Sequence, residues 1–189
     1  MRPWMLMALA LTIPSWVSAQ VEDVALDTTG VAACAPLDTA PSSWPTFRPV
    51  DAPISFRAPS AFQHQAPSRD EVQPLQSWSD QQGGSITVTG TIKPPAEAPL
   101  DEFRSALPPR EGGGVRYGCN DCFSGPVCIQ RLDEQWFMLM EGGDGWGMSK
   151  GVGIALSASG GWTVIWITGP TRASITLGRQ VASTLQLQR

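Results

Sequence analysis

The chain has 189 residues, with 13 Lys and Arg against 17 Asp and Glu and one His, for a net charge of −4 at pH 7. Lys93 and Lys150 are the only lysines and the arginines are scattered, so the clustered cations that displace nucleic-acid counterions are missing. Nucleic acid is therefore not an expected partner, and neither is an anionic membrane surface.

Residues 1–19 read as a secretory leader: Arg2, the apolar run Met5 to Ile13, and the small-residue site Val17-Ser18-Ala19 before Gln20. The run is far short of the ~20 apolar residues of a membrane-spanning helix, and no later stretch reaches that length. A competing lipoprotein-type site, Val31-Ala32-Ala33-Cys34, is separated from the apolar run by Glu22, Asp23 and Asp27, which do not belong in a membrane. The expected product is periplasmic or secreted, not membrane-spanning, and begins at Gln20. Loss of Arg2 with the leader makes it more acidic still.

Residues 20–53 have the composition of a tether. Pro36, Pro41, Pro45, Pro49 and Pro53 recur among small and polar residues, and proline denies helix and ladder alike an amide donor. Extended chain is expected there, with Trp44 and Phe47 docking on the body and a disulfide accounting for Cys34. Residues 54–189 read as a single domain. Ile54-Ser55-Phe56-Arg57-Ala58 alternates as a half-buried strand. Residues 63–84, polar and broken by Pro67, Pro74, Gly83 and Gly84, read as loop, with Trp78 plugging the core edge. Ser85 to Lys93 is the clearest strand, with Ile86, Val88 and Ile92 on one face. Leu100, Phe103 and Leu107 share a helical face after Asp101 and Glu102 in a first turn, predicting a helix over 100–107.

Two hairpins are predicted next. The first pairs 126–132 with 135–141, and Trp136-Phe137-Met138-Leu139-Met140 is apolar on both faces like an interior strand. The second pairs 152–157 with 162–168. A helix over 172–183, with Ile175, Gly178, Ala182 and Leu185 in register, and a short strand at Leu185 to Gln188 complete the chain. The expected fold class is α+β, an antiparallel sheet with two helices packed against it.

In an oxidising compartment four cysteines read first as two disulfides. Ser124-Gly125-Pro126 is a turn sequence, and a reversal there would bring Cys122 to Cys128 and leave Cys119 for Cys34. The alternative joins Cys119 to Cys122 and leaves Cys34 for Cys128. Cys119-x-x-Cys122 has the spacing of a redox pair, but no helical pattern follows to lower a thiol pKa. A metal reading needs a fourth ligand beside Cys119, Cys122 and Cys128, from Cys34 or His64. No cofactor is expected.

Other chemistry is thin. His64 lies in a polar loop with no triad context. Ser149 and Lys150, adjacent in sequence, would point to opposite faces if both lay on a strand. The loop Gly142-Gly143-Asp144-Gly145-Trp146-Gly147 fits no phosphate or calcium pattern, and Glu141 with Asp144 makes an acid pair only in sequence. Trp162 and Trp166 share a strand face with Val164, as core or as an aromatic binding row.

The order of elements carries a resemblance. An opening Ile54-Ser55-Phe56-Arg57-Ala58-Pro59 strand, the Gly160 to Gly169 strand, a helix, and a closing Val181-Ala182-Ser183-Thr184-Leu185-Gln186-Leu187 resemble exported domains of the PsbP-like α/β class over residues 54–188. The cysteines at 119–128 lie outside that pattern. The resemblance implies a non-catalytic accessory or binding domain acting on a protein or envelope component, and it supplies no functional residues.

Overall fold

A computed structural model describes residues 30–66, 75–92, 103, 123–132, 135–158 and 161–188. The leader, Cys119, Cys122 and the predicted 100–107 helix apart from Phe103 lie outside these residues.

The most regular alternations form the longest strands. Gln135–Asp144 (β8), Lys150–Ala158 (β9) and Gly161–Gly169 (β10) are consecutive antiparallel neighbours, as the two predicted hairpins require. Val127–Leu132 (β7) and the short Phe123–Ser124 (β6) both pair with β8. On the other side β10 pairs with Ser85–Thr89 (β5), and Leu75–Ser79 (β4) and Gln63–Gln65 (β3) extend the sheet to its edge. The eight-stranded sheet runs β3-β4-β5-β10-β9-β8-β6, with β7 beside β8. A second sheet is built from Thr46–Phe47 (β1), Ile54–Arg57 (β2) and Gln186–Leu187 (β11), with β2 in the middle.

The two-helix α+β expectation is overturned. The fold is mostly antiparallel β, and the helix Ala173–Ala182 (α1) is the only one of any length among the described residues. Phe103, from the other predicted helix, has helical backbone and is fully buried. The surplus strands are β3 and β4, within the stretch 63–84 read as loop. There Gln76 and Trp78 face one side and Ser77 and Ser79 the other, a period-two pattern too polar to stand out in sequence. Edge strands need little apolar content because only one side is paired, and all three residues of β3 are exposed.

One face of the large sheet carries Phe137, Leu139, Val152, Ile154, Leu156, Ile165, Ile167, Ile86 and Val88. It is covered by α1 and the small sheet through Val181, Ala182, Leu185, Ile54 and Phe56. The other face carries Met138, Met140, Ala155 and Val164 against Phe103, Phe123 and Ile92. Both faces of β8 are therefore buried, as an interior strand demands. The predicted strand 85–93 stops at Thr89, because the Thr89 hydroxyl takes the place of a backbone partner: the Val164 N–H donates to it at 2.8 Å. The chain then diverges, and Ile92 bridges Trp162 and joins the opposite core.

The helix lies close because Gly178 faces Val152, where a Cβ would sit 2.5 Å from the valine Cβ. Its C-terminal end is tied to β2 by Thr184, whose hydroxyl accepts the Arg57 N–H at 2.8 Å and donates to the Val181 carbonyl. Another buried threonine is left unpaired. Thr163, on the helix-side face of β10, is fully buried and its hydroxyl has no hydrogen-bond partner. Valine has the same branched shape without that desolvated hydroxyl. Thr163→Val is expected to raise the unfolding free energy by ~1 kcal/mol, read from the denaturant midpoint at constant slope. A drop in stability would show that the hydroxyl is satisfied in solution.

Candidate functional site

The N-terminal segment reaches the sheet at β7. Ile129 donates its N–H to the Ala32 carbonyl at 2.8 Å, and Cys34 donates to the Ile129 carbonyl at 2.8 Å, a parallel bridge that sets Cys34 beside Cys128. The two form a disulfide with a Cα–Cα distance of 4.9 Å. This overturns the expected pairs Cys122–Cys128 and Cys34–Cys119. The reason lies at Ser124-Gly125-Pro126, which does not reverse the chain. Ser124 opposes Gly143 and Val127 opposes Met140, so the backbone continues in one direction along β8. Gly125 and Gly142 let the two backbones approach there more closely than any side chain would allow.

The bond also removes Cys34 and Cys128 from the proposed metal set, since a disulfide sulfur offers no thiolate. Among the described residues no group of three His, Cys, Asp or Glu is placed to hold a metal.

Beyond Cys34 the segment crosses α1. Arg179, whose side chain is 16% exposed, pairs with Asp38 at 3.3 Å and also binds Glu141 and the Pro36 carbonyl. Arg57 donates to the carbonyls of Pro41 and Ser42. Phe47 stacks on Phe56 and meets Trp78 edge-on, docked as anticipated. One helical arginine thus joins the proline-rich segment to β8, and it occupies Glu141.

Several sequence candidates are accounted for by packing. His64 is exposed and lies edge-on against Trp78, with ring centroids 5.6 Å apart. Trp166 packs between Phe103 and Phe123 over Gly153, and Trp162 is half-buried beside Ile92. The Trp162–Trp166 row is therefore a core-lining one. Asp144 is held in its turn, accepting the Met148 N–H at 2.8 Å, so it does not form an acid pair with Glu141.

Two concavities are lined by described residues. A groove of about 700 Å3 runs between the start of α1 and the β4–β5 turn, lined by Phe62, Gln63, Gln82, Pro170, Ser174 and Leu177. Its acid, Asp80, is engaged by the N–H groups of Gln82 and Gly84. A second recess of about 490 Å3 lies under the glycine-rich turn that links β8 to β9. Gly147, with φ +72°, sets the turn's bend. Ser124, Ser149, Lys150 and Arg172 bring polar and cationic groups to its wall beside Asp144. Ser149 and Lys150 both line this recess, Ser149 from the turn and Lys150 from the start of β9. Ser149 belongs to the turn, so strand alternation does not govern it. Arg172 was not singled out as a site residue in the sequence, and no local pattern marks it as one.

No family model and no curated protein matches the sequence. A solved structure from Bacteroides thetaiotaomicron VPI-5482 is similar at 12% identity and a TM-score of 0.40, over 76% of this chain and 48% of that one. The chain thus spans about half the length of that structure. Fold and site together define a mostly β, disulfide-bonded domain whose N-terminal segment is clamped to its sheet. Among the described residues no helix is long and apolar enough to cross a membrane.

Proposed function

We propose that this is an exported, non-enzymatic accessory or binding protein of the periplasm or the secreted fraction. The observation that carries the reading is the Cys34–Cys128 disulfide, which ties the segment after the leader to the central sheet. Such bonds persist in oxidising compartments and are rare in the cytosol. The resemblance of the sequence to PsbP-like domains is a further reason to read an accessory role. Glu141, Asp144 and Asp80 are each engaged in structural contacts, which fits a binding role. The partner is a protein or envelope component.

The test is expression with the native leader, followed by fractionation, N-terminal sequencing, thiol titration and crosslinked co-purification from the native envelope. Expected are a Gln20 N-terminus outside the cytoplasm, no titratable thiol, and a stoichiometric partner. Lipid on Cys34, or a cytoplasmic protein with free thiols, would sink the proposal.

The disulfide also favours a second reading. With Cys34 and Cys128 joined, Cys119 and Cys122 are the remaining two cysteines and stand at Cys-x-x-Cys spacing. A thiol–disulfide oxidoreductase would use one as attacking thiolate and the other to resolve the mixed disulfide. Glutathione would then reduce that pair readily with the fold and the Cys34–Cys128 bond intact. Resistance of both pairs returns the answer to the accessory protein.

A further inference from the structure

We infer that the recess beneath the β8–β9 turn binds an acidic saccharide, a sugar carrying a carboxylate or sulfate. The inference rests on the binding reading above and names the ligand class.

Charge is the first ground. The protein is net acidic, and Arg179 and Arg57 are engaged, the first by Asp38 and Glu141 and the second by the carbonyls of Pro41 and Ser42. Lys150 and Arg172 line one recess, and neither side chain has a hydrogen-bond or ion-pair partner among the described residues. Two unpaired cations facing one cavity in an acidic protein attract an anionic group. Arginine adds a planar fork that matches a carboxylate or sulfate in two bonds. The acid in the wall, Asp144, accepts the Met148 N–H through Oδ1.

Shape and composition are the second ground. About 490 Å3 is within the range of small-ligand sites. The hydroxyls of Ser124 and Ser149 offer donor–acceptor groups of the kind that match sugar hydroxyls. Trp146, next to Gly147 in the same turn, is 61% exposed, unusual for a tryptophan. An indole left largely in water offers apolar surface to the C–H side of a sugar ring.

An anionic bilayer is the rival partner, since Trp146 and the 72% exposed Met148 sit in one turn beside the cations. Net charge favours the saccharide. A bilayer would bring its anionic field against the whole acidic surface, whereas a saccharide presents its charge to the recess alone.

The experiment is titration calorimetry on the mature, oxidised protein with oligogalacturonate, a glucuronate oligomer and a sulfated oligosaccharide. A methyl-esterified oligogalacturonate, inorganic sulfate and anionic phospholipid vesicles serve as comparators. Expected is binding of at least one acidic oligomer that weakens with salt and falls by about tenfold or more in the Lys150→Gln, Arg172→Gln double variant. Trp146→Ala should also weaken it, with the thermal midpoint of every variant unchanged. If the acidic galacturonate binds, its neutral ester should bind about tenfold more weakly or worse. Binding of no acidic oligomer, or binding indifferent to the double variant, overturns the inference. So does equally tight binding of inorganic sulfate, or binding to vesicles alone. An exported protein with no titratable thiol and a stoichiometric partner, yet blind to every acidic oligomer, would overturn this inference while leaving the broader one standing.

Discussion

Replacing Cys34 and Cys128 together with serine is expected to lower the unfolding free energy by ~2–5 kcal/mol. The two residues are 94 apart in sequence, so the bond closes a long loop and strips much conformational freedom from the unfolded chain. It also holds the Ala32 and Cys34 backbone against Ile129, where the bridge amounts to two hydrogen bonds. Without the bond, the proline-rich segment is retained by those two, by the Arg179 contacts and by Phe47 on Phe56. Denaturant unfolding of the oxidised wild type and the double variant gives the difference. Hydrogen exchange should place the extra opening at residues 31–47 and along β7. A loss well under 1 kcal/mol would mean that the bond does not constrain the unfolded chain.

Leu139→Ala is expected to cost a comparable ~2–5 kcal/mol, the range for removing a large side chain from a packed interior. Leu139 has no exposed surface, lies on β8 between Cys128 of β7 and Ile154 of β9, and belongs to the core cluster beneath the helix and small sheet. Strands on both sides hold the backbone in register, so the site cannot collapse around the missing atoms. Val50→Ala is the control: Val50 is 67% exposed and its truncation should change stability by no more than about 0.5 kcal/mol. If Leu139→Ala cost only a few tenths, β8 would have to lie at an edge in solution, with its hairpin partner detached.

The same strand shows how far the sequence alone reached. Trp136 to Met140 is apolar at every position, and a strand without a polar face has to be covered on both sides. The hairpin partners follow from short turns, and α1 from apolar spacing of three and four. All of these are properties of a few consecutive residues, and the structure places them within about three residues of expectation. By contrast, β3 and β4 were missed because they are mostly polar and only their pairing into the sheet makes them strands. Trp78 among serines and glutamines carries too little apolar signal until Ile86 stands opposite it. The second half of the predicted strand 85–93 was lost to one threonine hydroxyl that displaces a ladder bond.

The sequence by itself determined that the second half of the chain is built from hairpins followed by a helix. Tertiary structure alone decided which cysteines meet. Spacing favoured Cys122 with Cys128 across an apparent turn. That turn instead continues along β8, and Cys34 arrives from 94 residues away on a parallel bridge. The recess holding Lys150 and Arg172 has the same origin. The first residue of β9 and the residue before a helix line one recess only because β9 and β10 return the chain to the same end of the sheet. Local patterns record which face of an element is apolar. They hold nothing about which distant side chains share a cavity, because that depends on how strands are ordered across the sheet.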